Sequence, residues 1–135
     1  MVWLPVWPGA VGSDTMASVP GTVLIVDDHP SFRAAARALV EGAGYEVVAE
    51  AADGAGALDA VARHAPGCVL LDVQLPDADG FEVAKEIAAR DDPPAVVMTS
   101  SRAAADFGPL IAESPIRGFI TKEQLSASGL SELWG

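Results

Sequence analysis

Cys68-Val69-Leu70-Leu71-Asp72-Val73-Gln74-Leu75-Pro76-Asp77-Ala78-Asp79-Gly80-Phe81 is the stretch that decides how the chain folds. An apolar run ends abruptly in Asp72, and Leu75-Pro76 and Asp79-Gly80 then turn the chain away. A short continuous apolar run bounded by turn signals predicts a strand buried on both faces. In open α/β sheets ligands bind just outside the carboxyl ends of such strands, so Asp72 stands where chemistry is normally done. A lone Asp is also an ordinary cap for the following turn. The other strands decide between those readings.

Working outward, Val23-Leu24-Ile25-Val26 ends in Asp27-Asp28, and Glu46-Val47-Val48-Ala49 is a second strand. Ala95-Val96-Val97-Met98 ends in Thr99-Ser100-Ser101, and Gly118-Phe119-Ile120-Thr121 ends in Lys122. Helical segments lie between them. Pro30 suits the first turn of a helix, where its missing N–H costs nothing. Phe32, Ala35, Ala36, Leu39 and Val40 recur at helical spacing until Gly42 and Gly44 stop the helix. Further helices are expected over Gly54 to Ala65, ended by Pro66-Gly67, over Phe81 to Arg90 and over Leu125 to Leu133. A weaker one over Ala103 to Glu113 should break at Gly108-Pro109. Alternating strands and helices with right-handed crossovers make a parallel sheet covered by helices on both faces.

The informative feature is what ends each run. Asp27-Asp28, Asp72, Thr99 or Ser100, and Lys122 all fall at strand ends, and a parallel sheet gathers those ends on one edge. Carboxylates about 5 Å apart at an effective dielectric near 20 repel by roughly 3 kcal/mol per pair. A single lysine is not enough for three of them. A divalent, oxygen-seeking ion is the economical answer, and Mg²⁺ takes one or two carboxylates while completing its shell with water and phosphate oxygens. A carboxylate that attacks phosphorus forms an aspartyl phosphate. Metal, lysine and a hydroxyl donor are then the parts needed to neutralise the equatorial oxygens.

The bulk properties narrow the field. A chain of 135 residues has room for one domain, and with 50% apolar but only 6% aromatic residues its core is aliphatic. A net charge of -11 with eight Lys and Arg leaves no basic patch for nucleic acid. The lone Cys68 excludes an internal disulfide, sits in an apolar run as a buried thiol would, and suits a reducing cytoplasm. No stretch reaches the roughly 18 apolar residues of a membrane span. Residues 1–21, with Pro5, Pro8, Gly9, Gly12, Pro20 and Gly21, read as an irregular N-terminal extension. Trp3 and Trp7 would suit an arm that docks on a partner or a second copy. The simpler reading, adopted here, is an upstream start ahead of Met16.

Taken together, Val26-Asp27-Asp28-His29-Pro30, Leu70 to Gly80, Val97-Met98-Thr99-Ser100-Ser101 and Gly118-Phe119-Ile120-Thr121-Lys122 resemble a response-regulator receiver domain. The resemblance covers Val23 to Leu133, and Asp27-Asp28-His29-Pro30-Ser31-Phe32-Arg33 is most similar to receivers that precede a helix-turn-helix domain. It implies a flavodoxin-like, doubly wound five-stranded parallel sheet of order 2-1-3-4-5 over residues 22–135. It also implies Asp72 as phosphoacceptor and Mg²⁺ ligand, Asp28 as direct Mg²⁺ ligand, Asp27 as a ligand through water and the Gln74 backbone carbonyl as a third metal contact. Lys122 would pair with the phosphoryl oxygens, and Phe119 would be the aromatic that changes rotamer. For the hydroxyl, the phase of the run after Pro94 favours Thr99, the reading adopted here as the switch hydroxyl, although the family's usual spacing favours Ser100. Glu123 stands where many receivers have proline.

The function so implied is phosphorelay signalling, with a sensor histidine kinase or phosphotransfer protein upstream and a protein target downstream. The only reactions are gain and loss of the phosphoryl group at Asp72. With no helix-turn-helix before Gly135, the expectation is a stand-alone receiver that touches neither DNA nor membrane and leaves room for a homodimer. The rivals are a phosphorylation-independent binding module and a small Mg²⁺-dependent aspartate-nucleophile phosphatase. Several local motifs are discounted. His29 simply starts the helix, His64 ends one, and Arg33 and Lys85 are solvated. Gly54-x-Gly56 lacks the rest of a dinucleotide fingerprint, and Asp77-x-Asp79-Gly80 is a turn.

Overall fold

The computed structural model describes residues 18–135, and the apolar runs form strands where their pattern predicts. In order the elements are β1 (Val19–Val26), α1 (Pro30–Gly42), β2 (Glu46–Ala51), α2 (Gly54–His64), β3 (Pro66–Asp72) and α3 (Gly80–Ala88). Then come β4 (Ala95–Ser100), a 3-10 turn (Ala104–Phe107), α4 (Leu110–Glu113), β5 (Gly118–Thr121), a second 3-10 turn (Lys122–Gln124) and α5 (Ala127–Trp134). The sheet is parallel, with order β2-β1-β3-β4-β5 as the resemblance implied.

Successive strand residues point to opposite faces, and this alternation splits the core in two. Leu24, Val26, Val69, Leu71, Val96 and Met98 pack against α2 and α3 through Ala57, Val61, Val83 and Ile87. Val23, Ile25, Leu70 and Val97 face α1 and α5 and meet Ala36, Val40, Leu130 and Trp134. Cys68 lies in this second layer, where burial pushes its thiol up to about 11 against the pull of Arg117. A thiol so raised is inert at neutral pH.

Beyond shifts of one or two residues, two boundaries differ from the sequence reading, each for a local reason. β1 starts at Val19, so Val19–Gly21 belong to the sheet and not to the extension. The Val19 N–H donates to the Ala65 carbonyl (2.9 Å) and Thr22 Oγ1 to the Val19 carbonyl (2.6 Å), which carries pairing past Pro20 and Gly21 through a register shift. Residues 1–17 of the extension, with Trp3, Trp7 and Met16, lie outside the described residues. Pro66 opens β3 instead of closing α2, which ends on Ala65 in the left-handed region (φ 44°). The weak helical segment does break at Gly108, whose φ of 57° favours glycine, leaving only the 3-10 turn and a single turn of α4.

Candidate functional site

The site forms at the carboxyl edge because three strands end there in step. Val26 pairs with Leu71 and Asp72 with Thr99, so Asp27, Asp72 and Thr99 follow the layer of Ile25, Leu70 and Val97. All three are buried. Lys122, just after β5, reaches across this row. Its Nζ lies 2.6 Å from Asp27 Oδ2 and 3.5 Å from Asp72 Oδ2, and 4.3 Å from the centre of the Phe32 ring. The ring face gives the ammonium an apolar, weakly attractive wall.

The remaining acid and its neighbour come from the β1–α1 turn. Asp28 is exposed, and ligand atoms of Asp27, Asp28, His29 and Asp72 lie within 4.8 Å of one another. His29 does precede α1 as its cap residue, yet it does more than start a helix. Its backbone N–H donates to Asp27 Oδ1 (2.8 Å), and its Nδ1 is 3.0 Å from Asp27 Oδ1 and 3.1 Å from Asp28 Oδ1. A cavity of about 310 Å³ opens over the cluster, lined by Asp28, His29, Asp72, Gln74, Leu75, Pro76, Ser101 and Lys122. Gln74 is thus at the mouth, its N–H donating to Asp72 Oδ1 (3.3 Å).

The two buried carboxyls are pushed in opposite directions. Burial raises Asp27, but hydrogen bonds from Lys122 and from the His29 N–H, with the lysine's charge, outweigh it and hold the group below its ordinary value. Asp72 is pushed up to about 6, first by burial and then by the negative Asp27, with Lys122 and the Gln74 N–H opposing. Lys122 therefore serves Asp27 better than Asp72, and the site is short of positive charge. Hard oxygen donors in that state suit a small dication. Mg²⁺ fits the residues present.

The sequence candidates separate into two groups. Asp27, Asp28, Asp72, Gln74 and Lys122 come together with Thr99 behind them, and the buried Thr99 Oγ1 has no hydrogen-bond partner among the described residues. Ser100 and Phe119 sit apart from that row. Ser100 points with Val96 and Met98 toward the other face and accepts the Arg102 N–H (3.0 Å). It lines a second cavity of about 280 Å³ with Phe81 and Phe107. Phe119 packs on that same layer, its ring 5.6 Å from Phe107, which is in turn 5.7 Å from Phe81.

Sequence reasoning missed Arg33. Far from being simply solvated, its side chain is 19% exposed, and it donates to the Asp27 carbonyl (2.7 Å) and pairs with Glu50 (3.0 Å). It braces the acidic turn from behind. Nothing local marks Arg33 for this, since its partners are 6 and 17 positions away. Phe32 is legible only as a core-facing helix residue, although it also forms the wall beside Lys122.

Residues 23–132 match the family model described as the response regulator receiver domain. A protein of Pseudomonas aeruginosa named "Putative transcriptional regulator" is 36% identical over 111 residues, covering 82% of this chain and 52% of that protein. Transcriptional regulatory protein PdtaR of Mycobacterium tuberculosis is 39% identical over 88 residues, 65% of this chain and 43% of its own length. The chain spans about half the length of these curated relatives. The solved signal receiver domain of NarL from Mycobacterium tuberculosis superposes with a TM-score of 0.73 at 30% identity, covering 89% of this chain and 99% of that one.

Proposed function

This chain belongs to the response-regulator receiver family of two-component signalling, and on that premise we propose that Asp72 accepts a phosphoryl group from a sensor histidine kinase or phosphotransfer protein. The observation that carries the reading is one buried row: Asp72 beside Asp27, with Lys122 Nζ 2.6 Å from one and 3.5 Å from the other. Asp28 and the Gln74 carbonyl would hold Mg²⁺ directly and Asp27 through water. When bound, the ion supplies the positive charge that the transferring phosphoryl oxygens require.

The protein's own groups do the rest. An Asp72 carboxylate oxygen attacks phosphorus. The O–P bond forms as the P–N bond of phosphohistidine breaks, and the departing imidazole keeps the electron pair. The attacking group must be ionised, which a second positive charge beside it favours. Lys122 then follows the new phosphoryl oxygens, leaving part of its contact with Asp27.

We assign the β4 hydroxyl to Ser100. Thr99 is level with Asp72 and faces the α1–α5 layer, whereas Ser100 is one residue nearer the mouth. Only Ser100 shares a face with Phe119, the aromatic whose rotamer should follow the hydroxyl. Moving toward the phosphoryl group, Ser100 would release the Arg102 N–H and vacate space beside the Phe107 ring. Such a switch acts through partners that bind the two states with different affinity. We place the output in protein contacts, with a second copy among the candidate partners, and the protein in the cytoplasm, where a kinase and Mg²⁺ meet it.

The experiment is to mix the protein with acetyl phosphate, or with a beryllofluoride salt, in the presence of Mg²⁺. One adduct per chain, absent from Asp72→Asn, is the expected result. Absence of any adduct would favour a phosphorylation-independent module, and many turnovers on a phosphomonoester would favour a phosphatase. Ser100→Ala should uncouple the adduct from the change at Phe119, while Thr99→Ala should not.

A further inference from the structure

We infer that Asp77 is a positioning residue, clamping the β3–α3 loop to the start of α2 and thereby holding Gln74 in the phosphoryl-accepting pocket. This rests on the function proposed above. An α-helix leaves its first N–H groups without partners inside the helix. In α2 the local cap, Asp53, takes only the Gly56 N–H (2.7 Å). The Gly54 and Ala55 N–H groups donate instead to Asp77 Oδ1 (2.7 Å) and Oδ2 (3.1 Å), across 23 and 22 positions of sequence. Both oxygens of one carboxylate are thus used on another element. Those two N–H groups hold the Asp77 carboxyl below its ordinary value.

The clamp makes a link that the sheet does not provide. β2 and β3 lie on either side of β1, so no backbone ladder joins the loops that follow them. Apart from the Val73 N–H, which donates to the Thr99 carbonyl of β4 (3.0 Å), the hydrogen bonds of the β3–α3 loop are mostly to itself and to the start of α3. The Leu75 N–H donates to the Ala78 carbonyl (3.3 Å), the Gly80 N–H to the Val73 carbonyl (2.7 Å), and Asp79 caps α3 through the Phe81 N–H (2.8 Å). Its tip is seated so closely that a Cβ on Gly54 would come to 3.0 Å from the Ala78 Cβ and 3.1 Å from Val83 Cγ2. Gln74, Leu75 and Pro76 of this loop line the cavity over Asp72. Val73 and Leu75 anchor the base of the loop in the core, but Gln74, Pro76 and Asp77 are exposed, and such a segment opens locally at low cost unless something ties it down. Asp77 ties the exposed tip.

The test compares Asp77→Ala, Asp77→Asn and Asp53→Ala with the unaltered protein, all at a temperature where each is folded. The readouts are calorimetric titration with Mg²⁺ alone and amide exchange at Leu75 and Gly80. Asp77→Ala should weaken Mg²⁺ binding about tenfold, as loss of an outer support commonly does. It should also speed exchange at both amides by about tenfold. Asp77→Asn keeps one acceptor oxygen but turns an NH₂ donor toward the second N–H, so both readouts should fall between those of the unaltered protein and Asp77→Ala. Asp53→Ala removes only the local cap, so it should lower thermal stability and leave both loop readouts unchanged. Mg²⁺ binding by Asp77→Ala at full strength, or equal effects of Asp53→Ala on the loop, would overturn the inference and leave the receiver reading intact. No Mg²⁺ uptake by the unaltered protein would sink the reading itself, and the positioning role with it.

Discussion

Every residue from Thr22 to Asp27 and from Cys68 to Val73 is buried, whereas none from Ser101 to Gly129 is. The first region brings the acids Asp27 and Asp72 to the edge. The second brings Phe119 from strand β5, whose residues are all half-buried, and Lys122 from the turn just after it. The acids therefore sit in a part of the molecule that resists rearrangement, and the groups expected to respond come from a part where packing is thin. Lys122 ties the regions together through its pairs with Asp27 and Asp72, and a row of rings runs from Phe81 of α3 through Phe107 to Phe119. A two-state device needs such a division, because only weakly packed segments change conformation at small cost.

The sharpest way to break this comparison is to cut one side chain from each region. Leu70 is wholly buried in β3, and Leu70→Ala should cost roughly 2–5 kcal/mol in urea denaturation. Ile111 in α4 is only half-buried, and Ile111→Ala should cost less than about 1 kcal/mol. Similar losses would mean that the second region is as firmly held as the first.

Mg²⁺ sharpens it next. At about 100 times its dissociation constant the ion should add about 2.7 kcal/mol to stability, read as a higher midpoint in denaturant. Asp28→Ala should remove most of that gain. Undiminished stabilisation in Asp28→Ala would mean that the ion binds elsewhere.

Without metal, Asp72 itself reports on the buried region. Its carboxyl is raised from 3.8 to about 6, so the folded protein holds a proton that the unfolded chain has lost. The stability tied to that proton is complete below pH 3.8 and disappears as the pH rises through about 6. Asp72→Asn cannot ionise and should be more stable than the unaltered protein at pH 7.5, by on the order of 2 kcal/mol. The advantage should shrink toward pH 4. An advantage independent of pH would place its cause outside the Asp72 charge. The smallest expected effect is at the exposed Leu110, where Leu110→Ser should stay within about 0.5 kcal/mol.

How much of this was legible depended on the range of the interaction. Asp53 and Asp79 each cap the helix that follows within three residues, and such local signals mark where α2 and α3 begin. The apolar runs mark the strands because a run of four or five can only be buried. His29 does start α1, but its contacts with Asp27 and Asp28, like the bond from Arg33 to the Asp27 carbonyl, arise from the folded turn and have no local signature. Asp77 was dismissed as part of a turn, which it is, but its carboxylate serves a helix 22 positions away. At the end of β4 the phase of the apolar run favours Thr99, but such a run leaves the phase relative to β3 and β5 open. The pairing of Asp72 with Thr99 sets that phase and sends Ser100 to the side of Phe119.

Taken alone, the sequence determined an alternating α/β chain with acids, hydroxyls and a lysine at the strand ends, because hydrophobic period and turn residues act over a few positions. The tertiary structure decided which of these groups meet. Lys122 and Asp27 are 95 positions apart and 2.6 Å distant, a closeness set by crossovers and strand register. No short-range pattern encodes that distance, since it arises only when all five strands pack into one sheet.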